Sequence, residues 1–79
     1  MDRTEVFEKL NEIFQDVFDD DTLEVNENTT SEDIEEWDSL MHISLIMAIE
    51  NAFDIKFTMD EVTGMQNVGE TADKIMEKI

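Results

Sequence analysis

The 79-residue chain contains no cysteine, no proline and only two glycines. Without cysteine it can form neither a disulfide nor a thiolate metal site. No segment approaches the run of about 18 apolar residues that spans a bilayer, and the N-terminal residues lack the basic-then-apolar order of a signal peptide. These absences predict a soluble, cytoplasmic protein that forms one domain over residues 1–79, with a small core.

Basic residues are also scarce in this chain. Five lysines and arginines accompany 22 aspartates and glutamates, which gives a formal net charge of −17. Such a surface repels nucleic acid and attracts basic patches on other proteins. We therefore expect a monomer with cationic protein partners, and neither nucleic acid nor a membrane. A chain this acidic could be disordered, but its hydrophobic content of 41%, arranged with helical period, indicates that it folds.

Apolar residues recur at spacings of three and four in three segments, which predicts three longer helices. The first runs to about Phe18, the second covers residues 39–53, and the last follows a cap at Asn67. The stretch FDIKF alternates like a strand but has no partner strand, so we interpret it as an extended connector. With the short helix described next, the predicted fold class is all-α: a small four-helix bundle.

A short helix is predicted from Thr58 and Glu61, which stand three apart like a capping box, with Gly64 placed to end it. Between the first two helices lies a long polar loop, residues 19–38. A loop of this length is typically functional or disordered, so it either covers something or hides a short helix near TTSEDIEE. Its apolar anchors are Leu23, Val25, Ile34 and Trp37.

The second helix has two apolar faces when its residues are placed about 100° apart. One face is sufficient for the core of a small bundle; it consists of Leu45, Ile46, Ile49, Ala52 and Phe53. The opposite side carries a second stripe, here called the apolar strip: Leu40, Ile43 and Met47. An apolar strip left in water typically marks a docking surface, although the acidic loop could instead fold over it.

Ser39 stands at the start of the second helix, beside the apolar strip, in the stretch EEWDSL. Either Asp38 or Ser39 is the N-cap. The N–H groups at a helix start are unpaired and the macrodipole is positive there, so a phosphate esterified to the serine would be electrostatically favoured. Position alone still favours a plain capping serine, which is the commoner case.

Asp38-Ser39-Leu40 followed by LIMAIENAFDIKF, in an acidic four-helix chain with a long first loop, resembles the phosphopantetheine-dependent acyl carrier proteins. The resemblance implies that Ser39 bears a covalent 4′-phosphopantetheine arm, with Asp38 as the adjacent motif residue. The arm would hold an acyl cargo as a thioester and move it between biosynthetic enzymes, and the acyl chain could retreat into a pocket between the helices. The protein would then be a carrier rather than an enzyme.

The resemblance also implies the partners. They are a phosphopantetheinyl transferase and enzymes that load or use acyl groups, with basic patches that would meet the apolar strip and Glu50. Positions that are acidic in fatty-acid carriers read Met41, Ser44 and Asn51 here. The run WDSLMHISLIMAIE resembles instead stand-alone carriers of polyketide, aminoacyl or surface-polysaccharide assembly, so cargo and pathway stay open. A competing hypothesis is an acidic helical interaction module that is never modified.

His42 is the only histidine and lies three residues after Ser39. A catalytic Ser–His pair needs an oxyanion hole and an orienting group, and the sequence shows no signature of either. On the helical wheel His42 lies toward the core side, near Ile49 and Phe53, so we expect a half-buried structural histidine rather than a group acting beside the thioester. The acidic run at residues 19–21 lacks the glycine and closing glutamate of a calcium loop, which predicts weak surface cation binding and no metal site.

Overall fold

The computed structural model describes residues 2–79. The chain forms four helices: α1 Arg3–Phe18, α2 Ser39–Phe53, α3 Met59–Gly64 and α4 Val68–Lys78. None of these four is both long enough and apolar enough to cross a bilayer. The predicted all-α bundle of three longer helices and one short helix is confirmed, and the FDIKF stretch leaves α2 as an extended connector, without strand pairing in the part of the chain described.

Side-chain caps fix where each helix begins. Asp2, Asp38 and Asn67 each accept a hydrogen bond from the N–H three residues further on, at the starts of α1, α2 and α4. Thr58 and Glu61 form the predicted reciprocal capping box at the start of α3. Because these N–H groups would otherwise lack partners, each cap stabilises its helix by about 1 kcal/mol.

The helices end in two different ways. Asp19 and Asp54 close α1 and α2 in the left-handed region, with φ of 52° and 55°. Gly64 is the last residue of α3, as predicted. It ends the helix without a positive φ, because the chain leaves α3 directly into extended backbone at Met65, with φ −78° and ψ 105°.

One face of each longer helix and two loop residues form the core, in which α1 packs against both α2 and α4. The buried apolar residues are Val6, Leu10, Ile13, Phe14, Val25, Ile34, Leu45, Ile46, Ile49, Phe53, Val68, Ala72 and Ile75. The predicted burial of Ala52 is wrong, since that residue is exposed. Ala52 lies about 60° around α2 from Ile49, at the margin of the core face, where solvent reaches it.

The long loop is a packed part of the fold. TTSEDIEE forms hydrogen-bonded turns rather than a hidden helix, including a bond of 3.1 Å from the Trp37 N–H to the Ile34 carbonyl oxygen. Val25 and Ile34 are buried, while Leu23 and Trp37 are half-buried against the core. The loop therefore brings Trp37 to a defined position just before α2 begins.

Two polar contacts fasten the loop to the helices. The Asn11 side chain on α1 accepts the Val25 N–H at 2.7 Å. The Arg3 guanidinium donates to the carboxylates of Glu27 and Asp73, both at 2.7 Å, and so joins α1, the loop and α4. These hydrogen bonds to Asp73 and Glu27 raise the pKa of Arg3 above its usual value. The loop is thus held on both sides before it reaches the start of α2.

Candidate functional site

Ser39 is the first residue of α2, and its side chain is exposed. The N-cap is Asp38: its Oδ1 accepts the Met41 N–H at 2.9 Å, and its carbonyl oxygen accepts the His42 N–H at 2.9 Å. This decides between the two capping residues that the sequence allowed. Asp38 does the capping. The exposed Ser39 hydroxyl makes no hydrogen bond within residues 2–79 and so has no structural task among them.

The start of α2 fits an ester-linked phosphate on Ser39. The hydroxyl is reachable from solvent, so a modifying enzyme needs no opening of the fold. The Asp38 side chain pairs with the N–H of Met41 but leaves the N–H groups of Ser39 and Leu40 at the positive end of the helix dipole. An anion on the serine would lie next to these groups.

An open groove of about 550 Å³ adjoins Ser39. It lies between the N-terminal part of α2, which contributes His42 and Ile43, and α3, which contributes Met59 and Val62. The resemblance implied a pocket between the helices into which an acyl chain could retreat, and this stays a prediction. The groove between α2 and α3 is open to the surface and lies directly beside the residue that would bear a flexible arm.

His42 joins the two sides of this groove. Its Nδ1 accepts the Trp37 indole N–H at 3.1 Å, and its Nε2 lies 3.3 Å from the carbonyl oxygen of Val62 in α3. With Nδ1 accepting, Nε2 carries the ring proton and donates to Val62. The histidine is half-buried, as the wheel predicted. Both of its ring nitrogens are used in structural hydrogen bonds, which supports the structural reading over a catalytic one.

Trp37 connects this bridge to the core. Its ring stacks on that of His42 with centroids 5.9 Å apart, and it meets Phe14 of α1 edge-on at 5.3 Å. Phe18 lies 6.2 Å from Trp37 and 5.8 Å from Phe14. The sequence identified Trp37 as a loop anchor but not as a partner of His42, because Trp37 precedes the helix and helical spacing does not apply to it.

The apolar strip is exposed. Leu40, Ile43 and Met47 have 76%, 56% and 57% of their surface accessible, so the acidic loop does not cover them. Met59, at 77%, stands at the start of α3 and lines the groove together with Ile43. Sequence analysis missed Met59; the available signal was its place as the first residue of a short helix just after the Thr58 cap.

Glu50, which the sequence analysis assigned to partner docking, has an internal contact. Its half-buried carboxylate accepts the Phe57 N–H at 2.8 Å, and its carbonyl oxygen accepts the Ile55 N–H at 3.1 Å. Glu50 therefore holds the connector against the end of α2. It is also the only acid among the 15 residues of α2. Docking of a partner enzyme at Glu50 stays a prediction.

The acidic run at residues 19–21 does not come together as a ligand cluster with other His, Asp or Glu side chains in residues 2–79. Asp20 instead accepts hydrogen bonds from the hydroxyl and N–H of Thr22, at 2.6 and 3.0 Å. These two bonds lower the pKa of Asp20, because they favour its charged form. The acidic run therefore contributes to a hydrogen-bonded turn of the loop.

Comparison with known proteins connects this site to one family. The family model described as a phosphopantetheine attachment site matches residues 8–75. An acyl carrier protein of Rubrobacter xylanophilus is 34% identical over 77 residues, which are 98% of this chain and 95% of the relative. One from Streptococcus pyogenes is 38% identical over 73 residues, 92% of this chain and 95% of the relative.

Solved structures give the same relationship. The solution NMR structure of a holo acyl carrier protein from Geobacter metallireducens is similar to this chain, with a TM-score of 0.86 and 40% sequence identity. The match covers 91% of this chain and 83% of that one. The family-model match includes Ser39, the groove and the apolar strip.

Proposed function

Because this chain belongs to the acyl carrier proteins, which bear a covalent 4′-phosphopantetheine, we propose that the arm is attached to Ser39. The observation that carries the proposal is the exposed Ser39 hydroxyl at the first turn of α2, which makes no hydrogen bond within residues 2–79, while Asp38 provides the cap. The other serines lack this setting. Ser31 lies in the loop, and Ser44 lies in the middle of α2, away from the unpaired N–H groups.

The arm supplies a thiol that this cysteine-free chain lacks, and that thiol holds the cargo as a thioester. The residues of the chain position the arm and present it. Asp38 fixes the helix start, the groove offers the arm a surface beside its attachment point, and the apolar strip provides contact area for an enzyme. In this role the protein shuttles acyl groups between cytoplasmic enzymes and performs no reaction itself.

The surface of α2 favours a specialised carrier over a general fatty-acid carrier. Met41, Ser44 and Asn51 occupy positions at which fatty-acid carriers present acids, and Glu50 is hydrogen-bonded to the connector. Docking on α2 would then depend chiefly on the apolar strip, while the net charge of −17 steers basic partners from a distance. We propose a polyketide, aminoacyl or surface-polysaccharide cargo.

Intact mass spectrometry tests the attachment site. The wild-type protein, incubated with a phosphopantetheinyl transferase and coenzyme A, should gain the mass of one phosphopantetheine. Ser39→Ala should gain none, whereas the matched variants Ser31→Ala and Ser44→Ala should be modified like the wild type. Modification of Ser39→Ala would place the arm elsewhere, and a wild-type protein that stays unmodified would favour the acidic interaction module instead.

A further inference from the structure

The side chain of His42 spans the groove beside Ser39, from α2 to α3. Its Nε2 donates to the Val62 carbonyl oxygen at 3.3 Å, and its Nδ1 accepts the Trp37 N–H at 3.1 Å. We call this chain of contacts, Trp37 to His42 to Val62, the polar bridge. All three residues line the groove, so the bridge is part of its surface.

The bridge is supported from behind. Trp37 packs edge-on against Phe14, which is buried, and stacks on the His42 ring. Trp37 also packs against the buried core cluster, which includes Leu45 and Ile49 of α2. The indole cannot swing away from His42 without losing its packing on α1.

An apolar chain that passed between α2 and α3 at this point would have to separate His42 from Val62 or from Trp37. Either separation leaves half-buried donors and acceptors facing hydrocarbon, which cannot replace the lost hydrogen bonds. A chain that stays in the groove outside the bridge meets no such cost. The groove also offers polar groups on Ser31, Thr63 and Gln66.

We propose that the polar bridge is a specificity determinant which keeps the groove shallow, so that this carrier takes short acyl groups with polar substituents and does not shelter long acyl chains. The proposal rests on attachment of the arm to Ser39. His42 acts here as a positioning residue, since its hydrogen bond to the Val62 carbonyl oxygen joins α2 to α3. The bridge thereby defines the class of cargo that the proposed function left open.

The test compares acetyl and octanoyl groups, each transferred with the arm from the corresponding acyl coenzyme A and verified by intact mass. Exposure of the two thioesters is measured by their rates of cleavage with hydroxylamine. In the wild type the two rates should agree within about twofold, because neither group is buried. The fluorescence of Trp37, the single tryptophan, should be the same in both forms, since the bridge stays closed.

Variants of the polar bridge should make the cleavage rates of the two thioesters differ. His42→Leu removes both hydrogen bonds and keeps an apolar side chain of moderate size, so the octanoyl thioester should become several-fold slower to cleave than the acetyl one. Trp37→Phe keeps a ring against Phe14 but removes the indole donor, and should shift the rates in the same direction. Lys78→Ala is the matched control: it removes the ion pair of α3 with α4 at Glu61, 3.0 Å long, without touching the bridge, and should leave the rates equal.

A wild-type protein that protects the octanoyl group, or two bridge variants that both fail to protect it, would overturn the proposal. Trp37→Phe decides the question if His42→Leu does not fold by circular dichroism. The intact mass is measured before any cleavage rate. If the protein gains no arm mass, the proposed attachment at Ser39 is overturned. The two failures are therefore distinguishable.

Discussion

The N–H of Gly69 donates to the carbonyl oxygen of Glu27 at 3.1 Å, and a Cβ built on Gly69 would lie 2.7 Å from that same oxygen. The first turn of α4 and the long loop can approach this closely only if residue 69 has no side chain. Arg3 closes the same junction, because its guanidinium reaches the Glu27 carboxylate at 2.7 Å and the Gly69 carbonyl oxygen at 3.3 Å. The loop that leads to Asp38 and Ser39 is fixed at this contact.

Gly69→Ala should therefore destabilise the fold by about 1–3 kcal/mol, as overpacking of a tight contact does. Gly64→Ala is its control, since a Cβ there has nothing within 4 Å and the residue is helical with no positive φ. That change should be neutral or stabilising by up to about 1 kcal/mol. Urea midpoints at constant slope measure both. Equal midpoints for the two variants would mean that the loop can move away from residue 69 at Glu27 without a loss of stability.

The helices were predictable because their signals are local. Asp2, Asp38, Thr58 and Asn67 lie next to the N–H groups that they cap, and apolar spacing marks the core face of α1, α2 and α4. Ala52 shows the limit of this reasoning: the wheel gives the direction of a side chain but not how far the neighbouring helix extends to cover it.

The site was predictable in part for the same reason. The exposure of the apolar strip followed from the wheel and the short chain, and the position of Ser39 followed from the helix start. The contacts of His42 with Trp37 and Val62 did not, because they join a loop, α2 and α3, whose relative placement depends on the whole core. The hydrogen bond from the Phe57 N–H to the Glu50 carboxylate was missed for the same reason, because it joins the connector to α2.

Substitutions at Asp38 should separate the effect of its helix cap on stability from the effect of its charge on transfer of the arm. Asp38→Ala loses the bond to the Met41 N–H and should cost about 1 kcal/mol of folding free energy. Asp38→Asn keeps a capping oxygen, so its stability should equal that of the wild type within a few tenths of a kcal/mol. Both should slow transfer of the arm, because each removes a negative charge that would face a basic transferase. If Asp38→Asn received the arm at the wild-type rate, Asp38 would act only as a cap.

The pH dependence of α3 should depend on Glu61. A hydrogen bond from the Thr58 N–H and a second from Lys78 lower the pKa of Glu61 below its ordinary value. Ionised Glu61 therefore stabilises the fold above the ordinary carboxyl range, and this stabilisation is lost as the pH falls through the lowered pKa. Since α3 has no buried side chain, its amides should lose exchange protection before those of α1.

Titration of the Glu61 carboxyl carbon by NMR measures this effect directly. Lys78→Ala should move the Glu61 pKa toward its ordinary value but leave it lowered, because the hydrogen bond from the Thr58 N–H, the largest single cause, is kept. If the shift disappeared completely in Lys78→Ala, the ion pair with α4 rather than the capping box would hold Glu61.

Met47 and Ile49 lie two residues apart on α2 but on different faces, with 57% and 0% of their surface exposed. Met47→Glu should change stability by no more than about 0.5 kcal/mol, as is usual for surface substitutions. Ile49→Glu should unfold the protein, because it drives an unpaired carboxylate among buried apolar side chains. Thermal unfolding followed by circular dichroism distinguishes the two outcomes.

The same Met47→Glu protein tests whether the apolar strip is a docking surface. A carboxylate there should slow arm transfer by the phosphopantetheinyl transferase, because an enzyme that covers the strip must bury the charge without a partner. Met47→Leu, which keeps the strip apolar, should be modified at the wild-type rate. If Met47→Glu were modified as fast as Met47→Leu, Met47 would lie outside the contact, and docking would have to rest on Leu40, Ile43 and the acidic surface. If Met47→Glu were instead as unstable as Ile49→Glu, Met47 would be part of the core, contrary to its exposure in the structure.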